Sequence, residues 1–516
     1  MLRAVLPARY RILLLVLGIA PCAAVLVPRT AIAQVNVRDA VVKIHATQRA
    51  PDFVRPWTKS RSQESTGSGV VIANNRILTN SHVVQYATRL YVQANQSSQR
   101  KSAKVLAVSP EMDLAIITVD DDNFFQDRPA LELSTDLPSL KNAVNVYGFP
   151  IGGEQMSITE GIISRIEATS FYLEGFGLRI QVDAALNPGN SGGPAVSDDK
   201  IVGLVFSGVR DAENIGYLIP AEEIATFLAD VDDGHYDGKS RLFDRFQTVE
   251  NDALRQKLGL QDVQGGMMVT APFRNDDYPL KEYDVITHVG DVPLDRKGNV
   301  RINGELQLSF QYLVPKLAQD GVVPLKILRN GESHDVNVPV SAEREWLIPP
   351  LKGTYPPYFI YGPMLFTTPS QDLLARLQGA GQTMLGALES PLFDSRAAKP
   401  EFPGQELVIL GPRLFSHPTS EGYDNQFFAV VATINDVEIK NLAHLVETLK
   451  NCQDDYVTIK LHGNYETMIF RRNEMDMATE EVLEDEGIRS AASDELRKVW
   501  SGDDAPSDDQ EDDDSP

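Results

Sequence analysis

Between residues 35 and about 230, apolar runs of four to six residues alternate with Gly and Asn turns. The runs 69–73, 76–79, 90–93, 114–119, 143–147 and 201–206 are the clearest. Many short β-type runs at this spacing predict a sandwich or barrel. Pro220 followed by Ala221, Glu222 and Glu223 marks the start of a helix. The polar stretches around Asp232 to Gly234 and Asp237 to Ser240 mark a boundary near residue 235. A unit of mixed character follows over 240–345, with helix-like segments at 251–258 and 310–317 and β-type runs at 265–269, 284–289 and 323–329. A Pro-rich junction at 348–357 precedes a third unit, 355–475, that loosely repeats the second. There 428–439 echoes 284–294, 442–449 echoes the 310 helix, 457–461 stands for the last core strand, and 371–396 is an insertion. A helical extension is expected at 476–502.

At 516 residues the chain has room for about three domains of ~150 residues. Arg3, Arg9 and Arg11 lead into an apolar run over 12–19, and Ala31, Ile32 and Ala33 offer a cleavage site. Residues 1–33 are therefore expected to be an export signal, leaving a mature chain from Gln34 (34–235 for the first unit). The competing reading is an uncleaved anchor, which Gly18, Pro21 and the shortness of the run disfavour. No later segment is apolar enough to span a membrane. Cys22 lies in the signal, so Cys452 stands alone in the mature chain and an intramolecular disulfide is excluded. A bacterial periplasm is the expected location, with an organelle lumen as the alternative. The formal charge of −24, made more negative by four on loss of Arg3, Arg9, Arg11 and Arg29, disfavours nucleic-acid binding. Eight acidic residues crowd into 503–516, a tail expected to be disordered.

The most informative stretch is Asn187-Pro-Gly-Asn-Ser-Gly-Gly-Pro-Ala195. A nucleophilic serine needs its Oγ on a tight turn, with backbone N–H groups aimed where an oxyanion develops, and Ser191 among glycines meets that need. His82 follows the run 76–79, where a strand end presents an imidazole able to act as general base. Asp113 opens the run 114–119 and is placed to hold the His82 Nδ1–H. Taken alone, each has a plain reading: a Gly-rich hairpin, a surface histidine, a turn aspartate. The order His82, Asp113, Ser191 within one all-β segment matches one of the three unrelated triad orders and neither of the other two. The eight histidines are scattered from His45 to His462, and no metal-ligand spacing occurs.

Gly67-Ser-Gly-Val-Val-Ile, Ile77-Leu-Thr-Asn-Ser-His-Val-Val, Asp113-Leu-Ala-Ile-Ile, Thr159-Glu-Gly-Ile-Ile-Ser and the stretch from Gln181 to Pro194 together resemble the HtrA/Deg (protease Do-like) family. Residues 356–366 and 442–449 resemble its plant Do-like branch, which carries one PDZ domain and a second, divergent PDZ-like domain. The resemblance implies a mainly β fold, with a trypsin-like double β-barrel followed by two PDZ-like α+β domains. It implies a serine endopeptidase acting on unfolded proteins in quality control, assembled as a homotrimer or a multiple of trimers, without cofactor or metal. Carried over by motif, His82, Asp113 and Ser191 form the triad and the N–H groups of Gly189 and Ser191 the oxyanion hole. Phe206, Ser207, Gly208 and Val209 would align substrate as an added strand, and 209–214 would be the specificity loop. Phe53 and Trp57, within 51–65, stand where the family places trimer contacts. Arg241-Leu-Phe-Asp departs from the glycine-rich carboxylate-binding loop usual in PDZ domains. A different class of function, a holdase that grips clients through its PDZ units with little proteolysis, is the alternative.

Overall fold

A computed structural model describes residues 36–171, 175–206, 216–234, 236–274, 277–302, 306–423 and 426–502. The expected export signal and acidic tail lie outside the described residues.

Twelve strands form two closed six-stranded barrels. The first contains β1 (Val41–Gln48), β2 (Gln63–Ile72), β3 (Arg76–Thr79), β4 (Ala87–Ala94), β5 (Arg100–Ser109) and β6 (Leu114–Val119). The second contains β7 (Ala143–Gly148), β8 (Ser157–Phe171), β9 (Gly175–Val182), β10 (Pro194–Ser197), β11 (Lys200–Phe206) and β12 (Gly216–Pro220). In both, the third and sixth strands pair, in the orders β1-β2-β3-β6-β5-β4 and β10-β11-β12-β9-β8-β7. Branched aliphatics are fully buried on both barrels: Ile44, Ile77 and Ile117 on one face of the first sheet with Leu78 and Leu114 on the other, and Val144, Ile163, Ile180, Val182 and Leu218 together in the second. Each such buried side chain contributes about 1.5–3 kcal/mol. The runs expected at 76–79 and 114–119 are β3 and β6 to the residue. β5 was hidden because its first half, Arg100 to Lys104, carries almost no apolar pattern and faces solvent.

The helix begun by Pro220, Ala221–Asp230, covers the second barrel, with Ile224 and Phe227 fully buried. The polar boundary that follows is docked. The Asp230 carboxylate accepts the N–H groups of Asp237 (3.0 Å) and Gly238 (3.1 Å). The Lys239 ammonium reaches Glu223 at 2.6 Å and the Phe176 carbonyl at 2.8 Å, with both charged side chains at most 9% exposed. Removing either partner would leave the other buried without a counter-charge, a loss of about 3–5 kcal/mol.

The middle unit is an antiparallel sheet whose central strands are Met267–Ala271, Val285–Val289 and Val322–Arg329. Its helix Asp252–Lys257 is capped by Asn251, which accepts the Leu254 N–H at 3.0 Å. The segment at 310–317 gives only a 3-10 turn and the one-turn helix Val314–Leu317. Pro315 lacks the N–H that would bond back to the Gln311 carbonyl, so a continuous α-helix through 310–317 is interrupted there. At the matching place in the third unit no proline intervenes, and Leu442–Lys450 is a full helix capped by Asn441. The insertion is itself helical, with Gln371–Arg376, Ala380–Ala387 and Pro391–Asp394. The helices Arg472–Asp485 and Asp494–Ser501 place Met475 and Leu496 in the same core as Phe366, Leu445 and Ile459.

Phe53 and Trp57 are half-buried against this chain's own third unit. Phe53 packs beside Leu373, Leu374 and Phe428, with the Arg376 guanidinium 5.1 Å from its ring. Trp57 lies against Tyr358 and Phe415 at 6.3 and 5.7 Å.

Candidate active site

The sequence motifs converge where the two barrels meet. His82 sits in the short helix Ser81–Val84, directly after β3, with its imidazole 44% exposed. Its Nδ1 is 2.7 Å from Asp113 Oδ2, and its backbone N–H donates to Asp113 Oδ1 at 2.9 Å. Both carboxylate oxygens therefore act on one residue, fixing ring and backbone together. The Asp113 carbonyl accepts the Asn80 side-chain N–H at 2.9 Å. Asp113 has φ +58°, in the left-handed region that costs most side chains about 1–3 kcal/mol. Aspartate tolerates it better than most, and these three hydrogen bonds hold it there.

Ser191 lies on the turn between β9 and β10 and is 5% exposed. Its carbonyl accepts the Ser68 N–H at 2.8 Å, which ties the turn to β2 of the other barrel. A Cβ on Gly67 would stand 3.4 Å from that carbonyl and 2.7 Å from Val83, the neighbour of His82. Gly192 has φ +84°, and a Cβ there would fall 2.2 Å from the Ser68 carbonyl oxygen and 2.4 Å from Thr79 Oγ1. The serine turn and the histidine helix thus approach so closely that side chains at these two glycines would separate them.

The Pro188 carbonyl accepts the Ile151 N–H at 2.8 Å. In a trans peptide N–H and C=O point opposite ways, so the Gly189 N–H is directed away from Ile151. Among the described residues, neither the Gly189 nor the Ser191 N–H is taken by a protein acceptor. Such a pair of neighbouring donors can receive a developing negative charge.

Ser68 is the residue that motif reading passed over. It is fully buried; its Oγ donates to the Gly189 carbonyl and accepts the Phe149 N–H, both at 2.8 Å, and its carbonyl accepts Thr79 Oγ1 at 2.8 Å. Its signal in the sequence was a small polar residue between two glycines just before an apolar run.

Phe206 ends β11, whose Val205 exchanges backbone hydrogen bonds with Gly192 and Gly193 at 3.0 and 2.8 Å. That strand runs beside the serine turn. Ser207, Gly208, Val209 and the loop 209–214 lie outside the described residues. The Arg179 guanidinium is 5.3 Å from the Phe206 ring, and burial lowers its pKa to about 10 against the upward pull of Glu223 and Asp113. In the middle unit, Asp244 turns its buried carboxylate inward to the Phe273 N–H (2.8 Å) and the Tyr278 hydroxyl (3.0 Å), and burial raises its pKa. Among the described residues no cluster of three or more His, Cys, Asp or Glu is arranged to hold a metal ion. Cys452 is a half-buried free thiol. No described helix is long and apolar enough to cross a membrane.

Paired six-stranded barrels with this cleft define a trypsin-like serine endopeptidase. Residues 67–204 match the trypsin-like peptidase domain, and 350–495 match a PDZ domain. The chain is 33% identical to protease Do-like 2, chloroplastic, of Arabidopsis thaliana, over 90% of this chain and 76% of that protein. It is 32% identical to protease Do-like 4, mitochondrial, of the same plant, over 88% and 84%. Among solved structures it is similar to the HtrA-type protease AlgW with tripeptide, at 23% identity and TM-score 0.47, over 60% of this chain and 95% of that one. The chain belongs to the HtrA/Deg (protease Do-like) family.

Proposed function

We propose that the protein cleaves unfolded or damaged proteins through a His82-Asp113-Ser191 triad and an acyl-enzyme. The observation that carries this reading is the doubly hydrogen-bonded His82–Asp113 pair beside the Ser191 turn. His82 takes the Ser191 hydroxyl proton as Oγ attacks the peptide carbonyl, and Asp113 holds the ring and balances its charge. The Gly189 and Ser191 N–H groups receive the oxyanion. An extended client chain adds as a strand along Phe206 to Val209, where backbone pairing tolerates many sequences. No cofactor takes part in this scheme.

Two relatives are named for a chloroplast and a mitochondrion. With the expected signal at 1–33, this favours an exported or organellar setting, a periplasm included. A trimer, or a multiple of it, is the assembly we infer from the family. Its contacts would fall within 51–65, on the surface that Phe53 and Trp57 leave open beside the third unit and on Val54, which is 47% exposed. Arg241-Leu-Phe-Asp, whose Asp244 carboxylate is spent inward on the Phe273 N–H and the Tyr278 hydroxyl, stands in place of a glycine-rich loop and argues against capture of C-terminal carboxylates by the first PDZ-like unit. Casein turnover by wild type, absent in Ser191→Ala, tests the reading. Clients held without turnover would favour the holdase instead.

A further inference from the structure

The helix that carries His82 is one turn long, so its last carbonyls have no intrahelical partner. Gln48, at the end of β1, supplies one. Its Nε2 donates to the carbonyls of His82 (2.9 Å), Val83 (3.1 Å) and Gln85 (3.1 Å). An amide nitrogen carries two hydrogens, so at least one is shared between acceptors. The amide is thus a clamp across the end of the helix.

The next residue, Arg49, joins this clamp to the Pro-rich junction. Its N–H donates to the Tyr86 carbonyl at 3.0 Å, and its carbonyl accepts the Tyr355 hydroxyl at 2.8 Å. Tyr86 lies two residues beyond the His82 helix at φ +58°, a conformation that a bulky residue keeps only when its surroundings impose it. Those surroundings are the junction. The Tyr86 and Tyr355 rings are 5.5 Å apart, and the Lys59 ammonium lies 4.5 Å from the Tyr355 ring centre. Burial, with Asp372 and Tyr355 adding to it, pushes the Tyr86 phenol up to about 12.

We propose that Gln48 and Tyr355 are positioning residues for His82. Tyr355 fixes Arg49 and Tyr86, Gln48 fixes the helix end, and the imidazole is held at the cleft by groups that never touch substrate. The junction to the third unit thereby steadies the base of the triad. The inference rests on the triad reading above.

The test compares full-length wild type, Tyr355→Phe, Tyr355→Ala, Gln48→Ala and Ser191→Ala. The readouts are kcat and KM on a p-nitroanilide tetrapeptide with valine at P1, and hydrogen exchange of segments 80–90 and 456–461. Tyr355→Ala and Gln48→Ala should lower kcat about ten- to a hundredfold, as misplacement of a catalytic group does, with KM within about twofold. Exchange should quicken in 80–90 and stay unchanged in 456–461. Tyr355→Phe keeps the ring and loses only the bond to Arg49, so its kcat should fall between. Wild-type kcat and protection in Tyr355→Ala would overturn the inference and leave the triad reading standing. If that variant does not fold, the same result in Tyr355→Phe is decisive. Hydrolysis that persists in Ser191→Ala would overturn the triad reading and this inference together.

Discussion

On the first barrel, His82 and Asp113 are held by side chains: two carboxylate oxygens on one residue, with Asn80 and Gln48 bracing the ends. On the second, Ser191 is held by backbone and by missing side chains, with its carbonyl on Ser68 and Gly192 in a space that no Cβ could share. On the proposed triad, the difference follows from what each group would do. A base must keep one tautomer and one orientation while its charge changes, and a fixed carboxylate achieves that. A nucleophile must leave its Oγ free to attack and its neighbouring N–H groups unspent, so its support has to come from the carbonyl side.

The first way to break this contrast is on the base side. Asp113→Asn should preserve the fold yet lower kcat by roughly 10⁴, the size known for the general triad template, because the amide N–H₂ favours the wrong imidazole tautomer. Steady-state kinetics on casein and on a short peptide should show the same loss. On the serine side, Gly192→Ala should lower kcat about 10²- to 10³-fold, the range for losing an oxyanion donor, since the turn must shift to admit the new carbon. Titration with a peptidyl boronate, which needs an intact oxyanion site, would separate this from a loss of fold. A smaller effect is expected from Ser68→Ala. It strips partners from the Gly189 carbonyl and the Phe149 N–H, costing about 1–3 kcal/mol in urea unfolding and reducing kcat about tenfold. If Ser68→Ala cost stability but no activity, the serine turn would be shown to hold its shape without that brace.

Much of this arrangement was legible in the residues. Ser191 among glycines, His82 after a short strand and Asp113 before an apolar one could be read because each motif is local. Strand spacing announced a sandwich or barrel and the family resemblance the double barrel, although β5 is hidden by its charged first half. What could not be read was whatever depends on distant partners. Gln48 looks like any strand-end glutamine until β1 is laid beside the His82 helix. Lys239 looks like a linker residue until Glu223 buries it. Phe53 and Trp57, which the family resemblance places among trimer contacts, also meet the third unit of their own chain, a contact that no local pattern announces. The helix expected at 310–317 is broken by Pro315, which the sequence displays but whose weight against the apolar pattern only packing decides.

The most direct measurement is covalent labelling with a fluorophosphonate followed by peptide mass spectrometry. A single adduct on Ser191 is expected in the wild type, absent in Ser191→Ala, strongly slowed in Asp113→Asn, and accompanied by loss of casein turnover. An adduct on another serine, or casein turnover that survives in Ser191→Ala, would contradict the account.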